Sequence, residues 1–214
     1  MHGSVRPLKR NEEQKLVNRQ SILFAGTLTF NEKGYANTSV EDVIVRAEVS
    51  RATFYKHFSS KLSLAEALVN EMASRLDRSY DKLALISHPT QGDIILWLKA
   101  IAEIFEENKL LMNVLSSLDD TEPTLIEALR IANESRLGKL AKSFPAFRDA
   151  SPAGTGNIEA RNRAMLLLTE VDFVLFRLSV RDWEIDRNTA IHFLAEQIEH
   201  FVNGSAQEKP GNTR

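Results

Sequence analysis

Within seven residues the chain sets out Arg51, Thr53, Tyr55, Lys56 and His57, a set of side chains suited to nucleic acid. Arg and Lys donate to guanine edges and to phosphate, and Thr meets a thymine methyl or a phosphate oxygen. Two other groupings could do chemistry. His192, Glu196 and His200 recur every four residues, which puts all three on one face of a helix, where a metal could bridge two of them. The simpler reading is a polar strip, and no metal or cofactor is assigned. Asp172 falls between Leu168 and Leu175/Phe176 on an otherwise apolar face, where a carboxylate must be paired, hydrated or used. It either touches a ligand, pairs with an arginine such as Arg177, or lies at a subunit seam. Catalysis finds no support, since GxSxG, HExxH and P-loop motifs are absent. Gly154-Thr155-Gly156 follows no strand pattern, and the lack of cysteine removes disulfides, thiolate metal sites and a thiol nucleophile.

The elements that must position the basic cluster are two short helices and a tight turn. Thr38 or Ser39 can cap the first, with Glu41 and Asp42 three residues on at the spacing of a capping box. Val40, Val43, Ile44 and Ala47 then give one buried face. Ser50 opens the second, Arg51–His57, with Ala52 and Phe54 turned inward and Phe58 in the core. A helix, a short turn and a second helix carrying Arg, Thr, Tyr, Lys and His is the composition of a helix-turn-helix. An ordinary helical hairpin with a basic outer face is the alternative from charge alone.

The residue string narrows the choice. Gly34-Tyr35, Thr38-Ser39-Val40, Asp42-Val43, the run from Ala47 to Phe58 and Ser60-Lys61 resemble the DNA-binding domain of the TetR (tetracycline-repressor-like) family over about the first third of the chain. Ile44, Glu48 and Ala52 depart from the commonest family pattern, in which alanine, glycine and glycine stand there. Glu48 is therefore expected to tolerate a positive φ. The resemblance implies an all-α fold of about nine helices, with an N-terminal three-helix helix-turn-helix domain and a C-terminal helical ligand-binding and dimerisation domain. It also implies a homodimeric one-component repressor that binds an inverted-repeat operator in double-stranded DNA and is released by a small apolar effector. The alternative is a helical small-molecule-binding or scaffold protein without operator function. The DNA-contacting set is Thr38, Ser39, Ser50, Arg51, Thr53, Tyr55, His57 and Lys61, with base readout by Arg51 and Thr53.

Charge distribution agrees with a module that docks on phosphate by one end. Residues 1–61 hold ten Lys or Arg against six Asp or Glu, whereas residues 62–214 hold seventeen against twenty-three. The expected domains are accordingly 1–61, comprising a basic arm (Arg6, Lys9, Arg10) and the helix-turn-helix, then 62–203, then a disordered tail at 204–214. No signal-like or membrane-spanning run is seen, so the expected location is the cytoplasm.

Helical spacing predicts elements over 11–32, 62–86, 92–109, 110–118, 122–144, 158–183 and 187–202, with 145–157 a loop rich in Pro, Gly, Ala and Ser. For the cavity that the resemblance implies, the candidates are Trp97, Phe105, Met112, Leu115, Phe144, Phe147, Asp172, Phe173 and Phe176. For the dimer interface they are Met165, Leu168, Leu175 and Leu178 with Ile191, Leu194, Ile198 and Phe201. The same stripes could equally be the core of one subunit.

Overall fold

The computed structural model describes residues 10–118, 123–151 and 157–204, and these residues form ten α-helices. The basic arm before Arg10 and the tail beyond Gly204 lie outside the described residues. The long first helix, α1 (Arg10–Lys33), has Glu12 and Glu13 in its first turn and Lys33 in its last, charges that favour the helix dipole. Gly34 ends it with φ 77°, and its N–H returns to the Phe30 carbonyl. Then come the paired short helices α2 (Val40–Ala47) and α3 (Arg51–His57), and the long α4 (Lys61–Ala84).

The turn between α2 and α3 is made by Glu48 at φ 53°, in the left-handed region that the sequence anticipated. The Val49 N–H reaches back to the Ile44 carbonyl at 3.3 Å, satisfying a carbonyl at the end of α2. Ser60 and Ser63 form a capping box that starts α4. Since Lys61 is the first residue of α4, the boundary expected after residue 61 falls inside its first turn.

The C-terminal part follows as α5 (Gln91–Glu107), α6 (Lys109–Leu118), α7 (Pro123–Ser143), α8 (Pro145–Ala150), α9 (Ile158–Val180) and α10 (Arg187–Gly204). α4 packs most extensively on α7, and α5 lies against α9 and α10. The short helix α8 corrects the expectation of a loop from residue 145. Pro145 occupies the first helical position, where its missing N–H costs nothing, and Ala146, Phe147 and Ala150 are buried. Residues 152–156 lie outside the described residues.

One buried cluster runs from Ile22 in α1 to Val202 in α10, so the helix-turn-helix is seated on the same core as the rest. Phe54 and Phe58 are part of it, as expected. The seat is close at one point. A Cβ added to Gly26 of α1 would stand 2.8 Å from Leu64 Cδ2 of α4, and Leu64 is fully buried. Among the described residues no helix is long and apolar enough to cross a membrane.

Candidate nucleic-acid interface and effector cavity

Ser39 is the N-cap of α2. Its Oγ accepts from the Asp42 N–H at 3.1 Å, while the Asp42 carboxylate accepts from the Ser39 N–H at 2.9 Å. The Lys33 ammonium, 2.7 Å from Asp42, is the main cause holding that carboxyl well below its usual range. Thr38 is placed differently from the expectation of a phosphate contact. It is 3% exposed, and its hydroxyl donates to the Gly34 carbonyl at 2.9 Å, so it braces the entry to α2 from inside.

Ser50 caps α3 through its Oγ, which accepts from the Thr53 N–H at 3.1 Å; the two hydroxyls lie 2.8 Å apart. With Phe54 anchoring the inner side, Arg51, Tyr55 and Lys56 are exposed and Thr53 and His57 half-buried. The Arg51 guanidinium sits 5.6 Å from the centre of the Tyr55 ring and pairs with Glu41 of α2 at 3.1 Å. Both partners of that ion pair are well exposed, so it is open to competition by phosphate.

His57 is held below its ordinary value, first by burial and then by Lys15, Lys56 and Arg19. Lys15 and Arg19 were not singled out in the sequence, although their spacing of four places both on one face of α1. Folding brings that face beside α3, with the Arg19 guanidinium 5.4 Å from the Phe58 ring centre. Lys61 turns inward. Its Nζ donates to the Tyr35 carbonyl at 2.7 Å and lies 4.3 Å from the Tyr35 ring centre, tying the start of α4 to the turn before α2.

In the C-terminal part, α4, α5, α6, α7 and α9 enclose a cavity of about 280 Å³. Phe105, Met112, Leu115, Asp172, Phe173 and Phe176 line it together with Val69, Met72, Ala73 and Leu76 of α4. Phe173 is 56% exposed, so the cavity reaches the surface there. Three of the expected lining residues, Trp97, Phe144 and Phe147, belong to the core instead. The Trp97 indole N–H donates to the Ser79 carbonyl at 3.1 Å and packs edge-on against Tyr80, while Phe144 is buried beside Phe147. Phe147 in turn packs against Phe201.

Asp172 pairs with Arg136 of α7, at 2.8 Å from Oδ2, and not with Arg177. Arg136 also donates to Asn133 at 3.0 Å, faces Asp77 of α4 at 3.7 Å and stacks over Tyr80 at 5.4 Å. Burial pushes the Asp172 carboxyl up and Arg136 pulls it back, whereas burial and the Asp172 charge push the Tyr80 phenol well up. Arg136 could have been suspected from sequence only as an arginine on a helix whose other inward residues are Ala132, Leu137 and Leu140. No local spacing announces a partner 36 residues away.

The expected dimer stripes are largely the core of one chain. Leu168, Leu175, Ile191, Leu194 and Ile198 are each at most 4% exposed, so they cannot meet a partner without unpacking the subunit. Met165, Leu178 and Phe201 are half-buried. The apolar residues that α9 and α10 do leave outside are Ile158, Leu166, Phe173 and Phe193. Among the described residues no group of His, Asp and Glu converges to hold a metal, and His192, Glu196 and His200 run exposed along α10.

The family model for bacterial regulatory proteins of the tetR family matches residues 22–68, from the middle of α1 to the second turn of α4. The HTH-type transcriptional repressor DhaR of Mycobacterium sp. (strain GP1) is 38% identical over 61 residues, which is 28% of this chain and 31% of that one. The HTH-type transcriptional regulator TtgR of Pseudomonas putida is 31% identical over 80 residues, 37% of this chain and 36% of that one. The chain thus matches about a third of the length of these curated relatives. Over the whole chain the likeness is one of fold. A TetR-family transcriptional regulator from Syntrophomonas wolfei superposes with a TM-score of 0.68 at 22% identity, covering 90% of this chain and 96% of that one. FadR of Bacillus subtilis, solved in complex with stearoyl-CoA, gives 0.63 at 16% identity, covering 86% and 98%. Residues 22–68 thus match the DNA-binding domain of the tetR family of bacterial regulatory proteins, and the described chain shares the fold of the two solved structures.

Proposed function

We propose that the chain is a one-component transcriptional regulator that grips double-stranded DNA with α3 and answers to a small molecule held in the α4–α9 cavity. The observation that carries the first half is the outer edge of α3. Arg51, Tyr55 and Lys56 stand exposed on a helix whose start is capped by Ser50, with Lys15 and Arg19 of α1 alongside. Arg51 and Thr53 read bases, and Tyr55, Lys56, His57 and the basic face of α1 hold phosphate. Ser39 and Ser50 keep their neighbourhood at the helix starts, while Thr38 and Lys61 act as braces behind the contact surface.

The second half rests on α4, which lines the cavity with four residues and begins immediately after α3. Ligand favours a conformer in which α4 has shifted, the recognition helices no longer match their half-sites, and DNA is released. Repression is supported by the name of the mycobacterial relative. A homodimer on an inverted repeat follows from the need for two half-sites about one helical turn, ~34 Å, apart. The exposed Leu166 and Phe193, with half-buried Met165 and Leu178, are the residues through which α9 and α10 would meet a second copy.

The test is selection of the purified full chain against random double-stranded DNA, with the recovered sites sequenced. A palindrome with half-sites about one turn apart is the expected result. Recovery of no site above nonspecific background, from folded protein, would sink the operator reading and leave a helical ligand-binding protein.

A further inference from the structure

We infer that the effector is an amphiphile whose polar end is a protonated amine or similar N–H donor, received by Asp172 at the polar end of an otherwise apolar cavity. The inference rests on the effector role proposed above for that cavity.

The charge a ligand can reach in the cavity is the carboxylate. The Arg136 side chain is 6% exposed against 26% for Asp172. The guanidinium is also occupied on several sides, by Asp172, Asn133, Asp77 and the face of Tyr80. Asp172 Oδ2 accepts one hydrogen bond from Arg136, and a carboxylate oxygen has room for a second.

The other polar groups on the wall are the hydroxyls of Ser116 and Thr169 and the amide of Asn133. The Ser116 hydroxyl gives its proton to the Asn113 carbonyl at 2.9 Å, and the Thr169 hydroxyl gives its own to the Met165 carbonyl at 2.8 Å. The Thr169 oxygen is thereby left as an acceptor, and the Ser116 oxygen, which already accepts from Arg181 at 3.1 Å, keeps one lone pair, while Asn133, whose Oδ1 accepts from Arg136, presents its amide as a donor. The wider cluster carries three carboxylates, Asp77, Asp81 and Asp172, against two cations, Arg136 and Lys139. An anionic head would have to displace Asp172 from Arg136, the one cation among the described residues of the wall. A cationic head completes the charge balance. The apolar body has its counterpart in Val69, Met72, Leu76, Phe105 and Phe176.

Decylammonium, decanol and decanoate share one tail and differ in the head. Their binding to the full chain at pH 7, below their micelle concentrations, can be followed by calorimetry and by Trp183 emission. Trp183 lies 6.2 Å from the cavity residue Phe173, centre to centre. Decylammonium is expected to bind roughly tenfold or more tightly than the other two, as one charge-assisted hydrogen bond allows. Asp172→Asn is expected to erase that preference, and Ala73→Phe, which fills the cavity, to block all three. Equal or tighter binding of decanoate or decanol overturns the inference, as does a folded Asp172→Asn variant that keeps the preference. If Asp172→Asn fails to fold, the ranking on the unaltered protein decides alone. Binding of none of the three instead overturns the effector-cavity reading on which the inference rests.

Discussion

Arg51 and His57 sit six residues apart on one short helix and are in opposite electrostatic situations. Arg51 is exposed and shares its charge with Glu41; His57 is half-buried among Lys15, Lys56 and Arg19 and resists a further positive charge. Arg51→Ala is expected to weaken binding to a selected site by about 1–3 kcal/mol and to relax its sequence preference, read by competition binding at fixed salt. For His57 the sign follows from its lowered pKa. Between its ordinary value near 6.5 and the folded value, the unfolded chain binds more protons, so acidification through that window costs stability. DNA phosphate reverses the preference. Operator affinity should therefore rise as pH falls from about 8 toward 6, with proton uptake on binding. A titration in which His57→Gln keeps that pH dependence would show that another group is responsible.

At the scale of elements, the joints are set by backbone conformation and by close approach. Glu48 holds the left-handed turn that hands α2 over to α3, and it does so with a side chain in a conformation that favours glycine. Glu48→Gly is expected to raise stability by about 1 kcal/mol in denaturant unfolding, since the strain goes and no contact is lost with this exposed side chain. Two helical glycines make a sharper contrast. Gly138 in α7 has open space around an added Cβ, so Gly138→Ala should stabilise by up to ~1 kcal/mol. Gly26→Ala gains the same helix propensity, yet its methyl meets the buried Leu64 side chain at 2.8 Å. It should destabilise the chain or loosen α4 from α1. Equal gains in the two variants would mean that Leu64 repacks without cost.

The whole molecule shows which kinds of information a sequence carries locally. The helix-turn-helix was legible almost residue by residue, because caps, turn and core anchors all act within four or five positions: Ser39 with Asp42, Ser50 with Thr53, Glu48 between them. The order of the remaining helices was legible from apolar spacing. α8 was missed because Pro145 and its alanines read as a loop until Phe147 is seen buried between helices. The cavity wall was recovered in six of its expected residues, whereas Trp97 and Phe144 show that an aromatic on an apolar stripe does not reveal whether it faces a void or a neighbour. The dimer stripes stay open between interface and core for the same reason. Leu168 or Leu194 has the same periodicity whether it buries against its own chain or another. Arg136 meeting Asp172 and Asp77 is a contact among three helices, and no local pattern encodes it.

The contact between Lys61 and the Tyr35 carbonyl has a mechanical consequence. Met72, at the cavity, and Lys61, at the helix start, are eleven residues apart on one α-helix, roughly 16 Å of rigid rod. In the proposed homodimer, a tilt of about 5° at the cavity would swing the Lys61 end by roughly 1.5 Å, and two subunits swinging apart would add to roughly 3 Å, close to the ~3.4 Å rise of one base pair. Since the chain has no native cysteine, a single cysteine placed at Lys56 can carry a spin label, and the distance between the two labels of a dimer should change by that amount on ligand binding. An unchanged distance with ligand bound would rule the lever out. Because Lys61 grips the turn ahead of α2 as α3 precedes α4, the proposed lever would have hold of the α2–α3 pair at both ends, with α1 as its fulcrum and the pair as a load that moves as one piece.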